Sequence, residues 1–473
     1  MKRTKIIATL GPASTKPSII KKMINSGVDV FRLNMSHFHE KNDVKEYINI
    51  LRSVSKELDK NIGILMDIAG PKIRVIACKD EGFRIKKGDI LTIGYKNSDV
   101  KININPSFKS IDSSSAIKID DGKLSFKVCE KIDNYHLKVK SLSSGTIFNG
   151  NGVNFPKVEF RLPALTDKDK RDVLLGLNLD IDWFALSFVR SSTDIEPILK
   201  ILKSKNVKKP IIAKIEKPEA VDNLEDIISV FDGVLVARGD LGVEMGFDKV
   251  PIIQNRIVRL AHKHGKPIIL ATQMLDSMIY NSIPTRAEVS DVAISVEQSC
   301  DAVMLTAETS VGKFPVEAVK MMSSVICNME EEFNQYSSFK GVNPIINKMN
   351  VQTSVCHSAC NVSNELDIGL IVAMTDSGSS AISISSFRPK TRIIAMSPNQ
   401  SVCKKLTMVW GIKSVFMKEY KNSDTMIKSI NRYLVKNKVL KQNQYYIIVA
   451  GMPVGISGTT NLIRVEKADC GKK

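Results

Sequence analysis

Eight short apolar runs, most of them separated by 10–20 residues of helical spacing, constrain this chain more than any other feature. They are Lys5–Leu10, Asp29–Asn34, Gly63–Ile68, Trp183–Phe188, Ile211–Glu216, Gly233–Arg238, Pro267–Thr272 and Ala302–Ala307. Strands that alternate with helices pair in parallel through right-handed crossovers. Eight such units predict an α/β fold built on a closed (β/α)8 TIM barrel. In a barrel of this kind the C-terminal strand ends converge on one face, where active sites sit. Here those ends carry Arg32, Asn34, Asp67, Lys214, Glu216, Asp240, Thr272 and Glu308. One charged strand end is ordinary; polar groups from six strands on one rim predict a site.

The stretch Ile211–Gly242 carries the chemistry. It reads as two strands with a helix between them, followed by Gly239-Asp240-Leu241-Gly242 as a flexible turn. Lys214 and Glu216 stand two apart on the first strand and so share a face. If the strands are neighbours, Glu216 and Asp240 meet with Lys214 beside them. Two carboxylates with open positions suit Mg²⁺ or Mn²⁺ and the oxygens of an anionic substrate. A buried ion-pair cluster at strand ends accounts for the same residues.

Two segments interrupt or follow the barrel pattern. Residues 70–162 hold short alternating runs at Asp89–Gly94, Ala116–Ile119, Lys123–Glu130 and Tyr135–Leu142, with Asp121-Gly122 as a hairpin turn. This predicts an inserted all-β domain, a small β-barrel, emerging after the third strand on the rim. That position suits a lid that excludes water; the alternative is an insertion without a part in catalysis. Residues 342–473 predict a C-terminal α/β domain with strands at Asp367–Met374, Arg392–Met396 and Tyr445–Ala450, and a polar loop at Gly455–Asn461. The barrel then takes residues 1–69 and 163–341. In the last domain Thr375, Asp376, Ser377, Gly378, Ser379 and Ser380 lead into a helix. Such a turn binds phosphate through backbone N–H groups, or simply caps the helix.

Composition narrows the class. The formal net charge is +18, but the lysines are spread along the chain and no aromatic-interleaved basic motif appears. A lysine-rich bias with an anion site explains this without nucleic acid. No apolar run reaches the roughly 18 residues of a membrane span, and the apolar start stops at Gly11-Pro12, so a cytoplasmic protein is expected. The eight cysteines include no CxxC pair and are expected to be buried free thiols.

The motifs resemble the pyruvate kinase family from end to end. They are KIIATLGPAS, VFRLNMSH at 30–37, MDIAGPKIR at 66–74, AKIEKPEAVDN at 213–223, VARGDLGVE at 236–244, ATQMLDSM at 271–278, PTRAEVSDVA at 284–293 and VMLTAET at 303–309. The resemblance implies phosphoryl transfer from phosphoenolpyruvate to ADP, giving pyruvate and ATP, with Glu216 and Asp240 as Mg²⁺ ligands. It places Lys214 against the moving phosphoryl group and the forming enolate, and Arg32 as the phosphate clamp. Gly239 and Asp240 are implied to meet the substrate carboxylate, and Thr272 to orient the water that protonates the enolate. For the nucleotide it implies Asn34, Met35, Ser36, His37, Arg74 and Lys168. A lone His37 would otherwise read as a surface cap, and the role of Glu308 stays open. Thr375–Ser380 match a site for a phosphorylated effector, and a homotetramer is the family's assembly.

One departure stands out within the resemblance. Most of the family requires K⁺ near Asn34, Ser36, Asp67 and the backbone of Ile68, and has glutamate where this chain has Lys72. A branch with lysine there works without a monovalent cation. K⁺ is therefore expected not to be required, with the Lys72 ammonium supplying the charge at that site; a Lys72 swung into solvent is the alternative. Two rival functions remain: a Mg²⁺-dependent aldolase or lyase making a pyruvate enolate on the same barrel, and a non-catalytic paralogue.

Overall fold

The computed structural model describes residues 2–38, 41–78, 82–104, 107–156, 158–160, 162–336, 350–418, 422–452 and 459–469. Eight parallel strands close into a barrel: Lys5–Thr9, Val30–Asn34, Gly63–Ile68, Trp183–Leu186, Ile211–Ile215, Gly233–Ala237, Ile268–Ala271 and Ala302–Leu305. The first and eighth pair from Lys5↔Ala302 onward. Helices cover the outside, so the strands are buried on both faces and read as continuous apolar runs. Alternation still sorts them. Val30, Leu65, Trp183, Ala185, Ile212, Leu235 and Ile269 fill the barrel interior, whereas Phe31, Ile64, Phe184 and Ile211 pack outward under the helices.

The eight strands agree with the sequence expectation; their surroundings differ in places. Two short helices, Pro218–Asp222 and Leu224–Val230, stand where one was expected after the fifth strand. The stretch Gly239–Gly242 is not a flexible turn: it lies inside the helix Arg238–Met245. Neither glycine has a positive φ, so ordinary helical backbone accommodates both.

The insertion is all-β. Val75–Cys78, Ile90–Gly94, Val100–Ile102, Ala116–Ile119, Leu124–Lys131, His136–Ser141 and Val153–Asn154 form one sheet, and Phe83–Ile85 pairs with Gly145–Ile147. The sheet's two edges meet through the Arg74↔Gly152 bridge and the Val75 N–H···O Asn151 bond of 2.9 Å. This closure buries a core that includes Phe108, Phe126 and Phe155. The chain enters at Gly70, whose φ of 69° and 2.9 Å gap from a would-be Cβ to the Ser187 carbonyl leave no room for a side chain. The insertion lands on the helix Arg238–Met245: Lys118 Nζ donates to the Val243 carbonyl (2.8 Å) and Asn154 Nδ2 to Glu244 Oε1 (2.7 Å).

The C-terminal sheet contains five strands, two more than expected. Its order is Ile412–Phe416, Arg392–Ser397, Leu370–Met374, Tyr445–Gly451 and Thr460–Lys467. Thr460 and Asn461, expected in a loop, belong to the antiparallel edge strand. The rest of that loop, Gly455–Gly458, and the boundary at 341/342 lie outside the described residues. The cysteines are free but not uniformly buried: Cys129 and Cys327 are exposed and Cys78 is half-buried, and Cys470 lies outside the described residues. Among the described residues no helix is long and apolar enough to cross a membrane.

A polar seam joins this third body to the base of the barrel. Arg388 reaches across to Asp301 (2.8 Å) and the Ser299 carbonyl (2.9 Å), and its guanidinium lies 4.9 Å from the centre of the Trp410 ring. Trp183 Nε1 donates to the Lys405 carbonyl at 3.1 Å. His262 shares the Ser299 carbonyl at 3.0 Å. Burial, with Arg388 adding to it, pushes the His262 imidazole down to about 4. A group depressed on folding takes up protons first in the unfolded chain, so stability is complete above about pH 6.5 and drains away as pH falls towards 4. We expect His262→Asn to remove roughly 3 kcal/mol of that acid sensitivity, read as a flatter dependence of urea midpoint on pH between 6.5 and 4.

Candidate active site

Period-two alternation builds the site. Arg32, Asp67 and Lys214 each stand two residues beyond an interior-filling neighbour, namely Val30, Leu65 and Ile212. They therefore point into the barrel at its C-terminal end. Asp67 is the hub, only 1% exposed. Its Oδ2 accepts from Arg32 Nε (2.7 Å), pairs with Arg32 Nη2 (2.6 Å) and faces Lys214 Nζ (3.2 Å). Lys214 also meets Glu216 Oε1 at 3.0 Å and donates to Ser187 Oγ at 2.8 Å. Ser187 in turn donates to Asp67 Oδ1 (3.2 Å), and Arg32 Nη1 to Thr9 Oγ1 (3.2 Å).

Electrostatics favour the charged forms of Asp67 and Lys214. Burial pushes the Asp67 carboxyl up, but Lys214 and Arg32 outweigh it and hold the group below the usual carboxylate range. Burial likewise depresses the Lys214 ammonium, and Asp67 with Glu216 more than reverses this, so its pKa is raised. Glu216 moves the other way: burial raises it, and the Asp240 and Asp67 charges add to the rise against Lys214. For Asp240 burial is overcome chiefly by Lys72, which leaves it lowered. Glu216 and Asp240 are thus close enough to repel each other. A hard divalent cation would relieve that repulsion, and the carboxylate oxygens are suitable donors. Among the described residues no group of three or more His, Cys, Asp and Glu gathers as a metal cage, so two carboxylates leave positions for substrate oxygens.

The Lys72 ammonium has an ion-pair partner in the structure. It bonds Asp240 Oδ1 at 2.9 Å and lies 5.7 Å from the centre of the Phe188 ring. The cause is charge balance: Asp67 is already shared by Arg32 and Lys214, whereas Asp240 offers an unshared carboxylate near the base of the insertion. Lys72 is not in solvent, its side chain being 17% exposed.

Thr272 follows the seventh strand with a φ of 69°, and Gln273 continues at 54°. Left-handed backbone is uncommon for any L-residue and an outlier for a β-branched one. Thr272 Oγ1 accepts from the Gly239 N–H at 2.8 Å and donates to the Ala271 carbonyl at 2.6 Å. Phe188, at φ 56°, gives its N–H to Glu216 Oε2 at 2.9 Å. Strained residues thus border both the Glu216 and the Asp240 sides of the rim.

The remaining expected residues fall into separate groups. Asn34–His37 form a turn in which Asn34 Oδ1 accepts from the Ser36 N–H (3.2 Å) and the Met35 N–H donates to the Asp67 carbonyl (3.0 Å). Lys168 reaches this turn through the Met35 carbonyl at 2.8 Å, and His37 is exposed on it. Arg74 is not drawn in; its Nη1 donates to the Gly150 carbonyl of the insertion at 3.0 Å. Glu308 is fully buried and accepts the Leu275 N–H (3.1 Å) and the Thr306 N–H (2.7 Å), so it braces the loops after the last two strands. Thr375–Ser380 lie in the C-terminal body. There Thr375 Oγ1 accepts from the Gly378 N–H, and Ser380 bonds Thr460 at 2.6 Å.

Two residues escaped sequence reading. Ser187 stands two beyond the interior residue Ala185, so the alternation rule applied one step further would have found it. Arg238 was read as a strand end; its guanidinium instead reaches the Ala271–Gln273 carbonyls, a reach no local pattern signals.

Fold and rim together define an enzyme of the (β/α)8-barrel class equipped for anionic substrates. Comparison with known proteins narrows this. Residues 1–319 match the family described as pyruvate kinase, barrel domain, and residues 353–466 the pyruvate kinase alpha/beta domain. Pyruvate kinase 2 of Synechocystis sp. is 37% identical over 98% of this chain and 79% of its own length. The pyruvate kinase of Methylorubrum extorquens is 37% identical over 98% of this chain and 97% of its own. A crystal structure of a Cryptosporidium parvum pyruvate kinase superposes with a TM-score of 0.89, at 30% identity, covering 99% of this chain and 96% of that one. The chain belongs to the pyruvate kinase family of phosphotransferases.

Proposed function

We propose that this chain transfers the phosphoryl group of phosphoenolpyruvate to ADP, forming pyruvate and ATP. The observation that carries this reading is the buried Lys214 ammonium, held charged between Asp67 and Glu216 beside Arg32. Phosphoryl transfer asks a protein mainly to place the partners and offset charge. In this reading Arg32 clamps the phosphate with a planar, permanent cation. Lys214 faces the transferred group and the oxygen that becomes the enolate. The helix start at Gly239 and Asp240 faces the substrate carboxylate, the Asp240 backbone N–H being offered to it while the Gly239 N–H holds Thr272. Thr272 orients the water that delivers a proton to the terminal carbon. Glu216 and Asp240 would hold Mg²⁺ or Mn²⁺, which supplies a Lewis acid for the enolpyruvate oxygens when bound. For ADP the candidates are the Asn34–His37 turn, Lys168 and Arg74. The aldolase reading is not retained, because family models and relatives across nearly the whole chain are pyruvate kinases. A cytoplasmic homotetramer is the setting the family resemblance suggests.

A coupled assay of pyruvate release from phosphoenolpyruvate, with and without ADP, tests the activity directly. In the same assay Lys214→Met is expected to lower kcat by several orders of magnitude and move KM for phosphoenolpyruvate far less, since the ammonium meets most charge in the transition state. Near-normal kcat with a greatly raised KM would assign Lys214 to binding alone.

Independence from K⁺ is part of the proposal. Arg32 and Lys214 already offset Asp67, and Lys72 adds a further positive charge on Asp240. Activity in tetramethylammonium buffer should equal that in K⁺ at the same ionic strength; strong activation by K⁺ would overturn it.

The hydroxyl-rich start of the helix Ser379–Ser386 supports a phosphorylated effector at Thr375, Ser377, Gly378, Ser379 and Ser380. Sugar phosphates and AMP should shift the phosphoenolpyruvate saturation curve, and Thr375→Ala with Ser377→Ala should abolish the shift. An unchanged response in that double variant removes the assignment.

A further inference from the structure

Arg238 opens the helix that carries Asp240, yet its side chain leaves that helix for the neighbouring strand end. Nε lies 3.3 Å from the Ala271 carbonyl and 3.2 Å from that of Thr272. Nη2 lies 2.7 Å from the Thr272 carbonyl and 3.2 Å from that of Gln273. Nη1 donates to Asp291 at 2.7 Å, and the residue is only 7% exposed. Three successive carbonyls therefore face one planar cation. They converge because Thr272 and Gln273 both hold left-handed backbone. Consecutive strained residues persist only where their surroundings over-determine them. The next residue, Gly239, holds Thr272 from the other side through its hydroxyl. Thus Arg238 and Gly239 grip Thr272 by carbonyl and by hydroxyl, and the residue after them is Asp240.

We propose that Arg238 is a positioning residue for protonation of the enolate. It keeps the Ala271–Gln273 turn left-handed, so that the Thr272 hydroxyl stays against Gly239 and water is presented to one face of the terminal carbon. In that step the enolate's electron pair forms a C–H bond with a proton from the ordered water and the enolate C–O becomes the ketone. The hydroxide left behind is reprotonated from solvent. The inference deepens the function proposed above and rests on the role of Thr272 in it. A guanidinium is required because three carbonyls are met by one rigid fork, which an ammonium does not reproduce.

The test follows the configuration of the methyl group formed from stereospecifically 3-deuterated phosphoenolpyruvate in tritiated water, alongside kcat, KM and melting temperature. Arg238→Met should lower kcat about 10- to 100-fold with KM for phosphoenolpyruvate within about threefold, as expected for a small misplacement of a water-orienting group. Its methyl product should lose its single configuration, and Arg238→Lys should not restore it. Adding Gln273→Gly to Arg238→Met should recover much of the lost kcat, because glycine takes positive φ without strain. A folded Arg238→Met that keeps one methyl configuration overturns the proposal, and so does a double variant with no recovery. Should Arg238→Met not fold, Asp291→Asn loosens the same guanidinium from outside the barrel, and full stereospecificity there is equally adverse. Thr272→Ala separates the two levels. If it scrambles the product and Arg238→Met does not, the Arg238 role falls; if it leaves one configuration, the Thr272 role falls and takes this inference with it.

Discussion

The rim depends on the sharing of one buried carboxylate. Asp67 lies on the barrel axis side of the third strand, almost without solvent, and two cations, one from the adjacent second strand and one from the fifth strand beyond the fourth, divide it between them. Each of these charges alone would carry a desolvation cost of several kcal/mol. Together they are stable because Arg32 brings two N–H groups to one oxygen, and Ser187 completes the other. The second, third, fourth and fifth strands are thereby tied at one level, and Lys214 has little freedom. A cation held in this way is already oriented when substrate arrives, so little reorganisation remains for the reaction itself.

The helix Arg238–Met245 plays a second integrating part. Along two turns it presents Arg238 to the strained Thr272 turn, Asp240 to Lys72, and Val243 and Glu244 to the insertion. Lys217 joins Glu244 at 2.6 Å, so the loop after Glu216 is tied to the same helix. The footing of the β insertion and the setting of Asp240 therefore share one helix. The sequence shows this segment as glycine-containing, and a flexible turn was the natural expectation. Tertiary contacts at both ends make it a helix instead.

Much of the fold was legible because a strand covered on both faces has to be apolar throughout, and eight such runs are hard to mistake. The site was legible for a related reason: Arg32, Asp67 and Lys214 interrupt those runs at their C-terminal ends on interior positions. Strands of two to four residues in the insertion, such as Val153–Asn154 and Phe83–Ile85, left too short a pattern. The edge strand Thr460–Lys467 is half-exposed and charged, so it resembled a loop. The pairing of Lys72 was not legible for a different reason: its partner Asp240 is 168 residues away along the chain.

The seam under the barrel has an optical consequence. The chain contains two tryptophans, and both lie there: Trp183 is bonded to the Lys405 carbonyl, and the guanidinium groups of Arg3 and Arg388 lie 5.4 and 4.9 Å from the centre of the Trp410 ring. The β insertion contains none. Intrinsic indole emission is therefore a spectroscopic gauge of the junction between barrel and C-terminal body. It is silent about the insertion, which would need a label placed there to be followed.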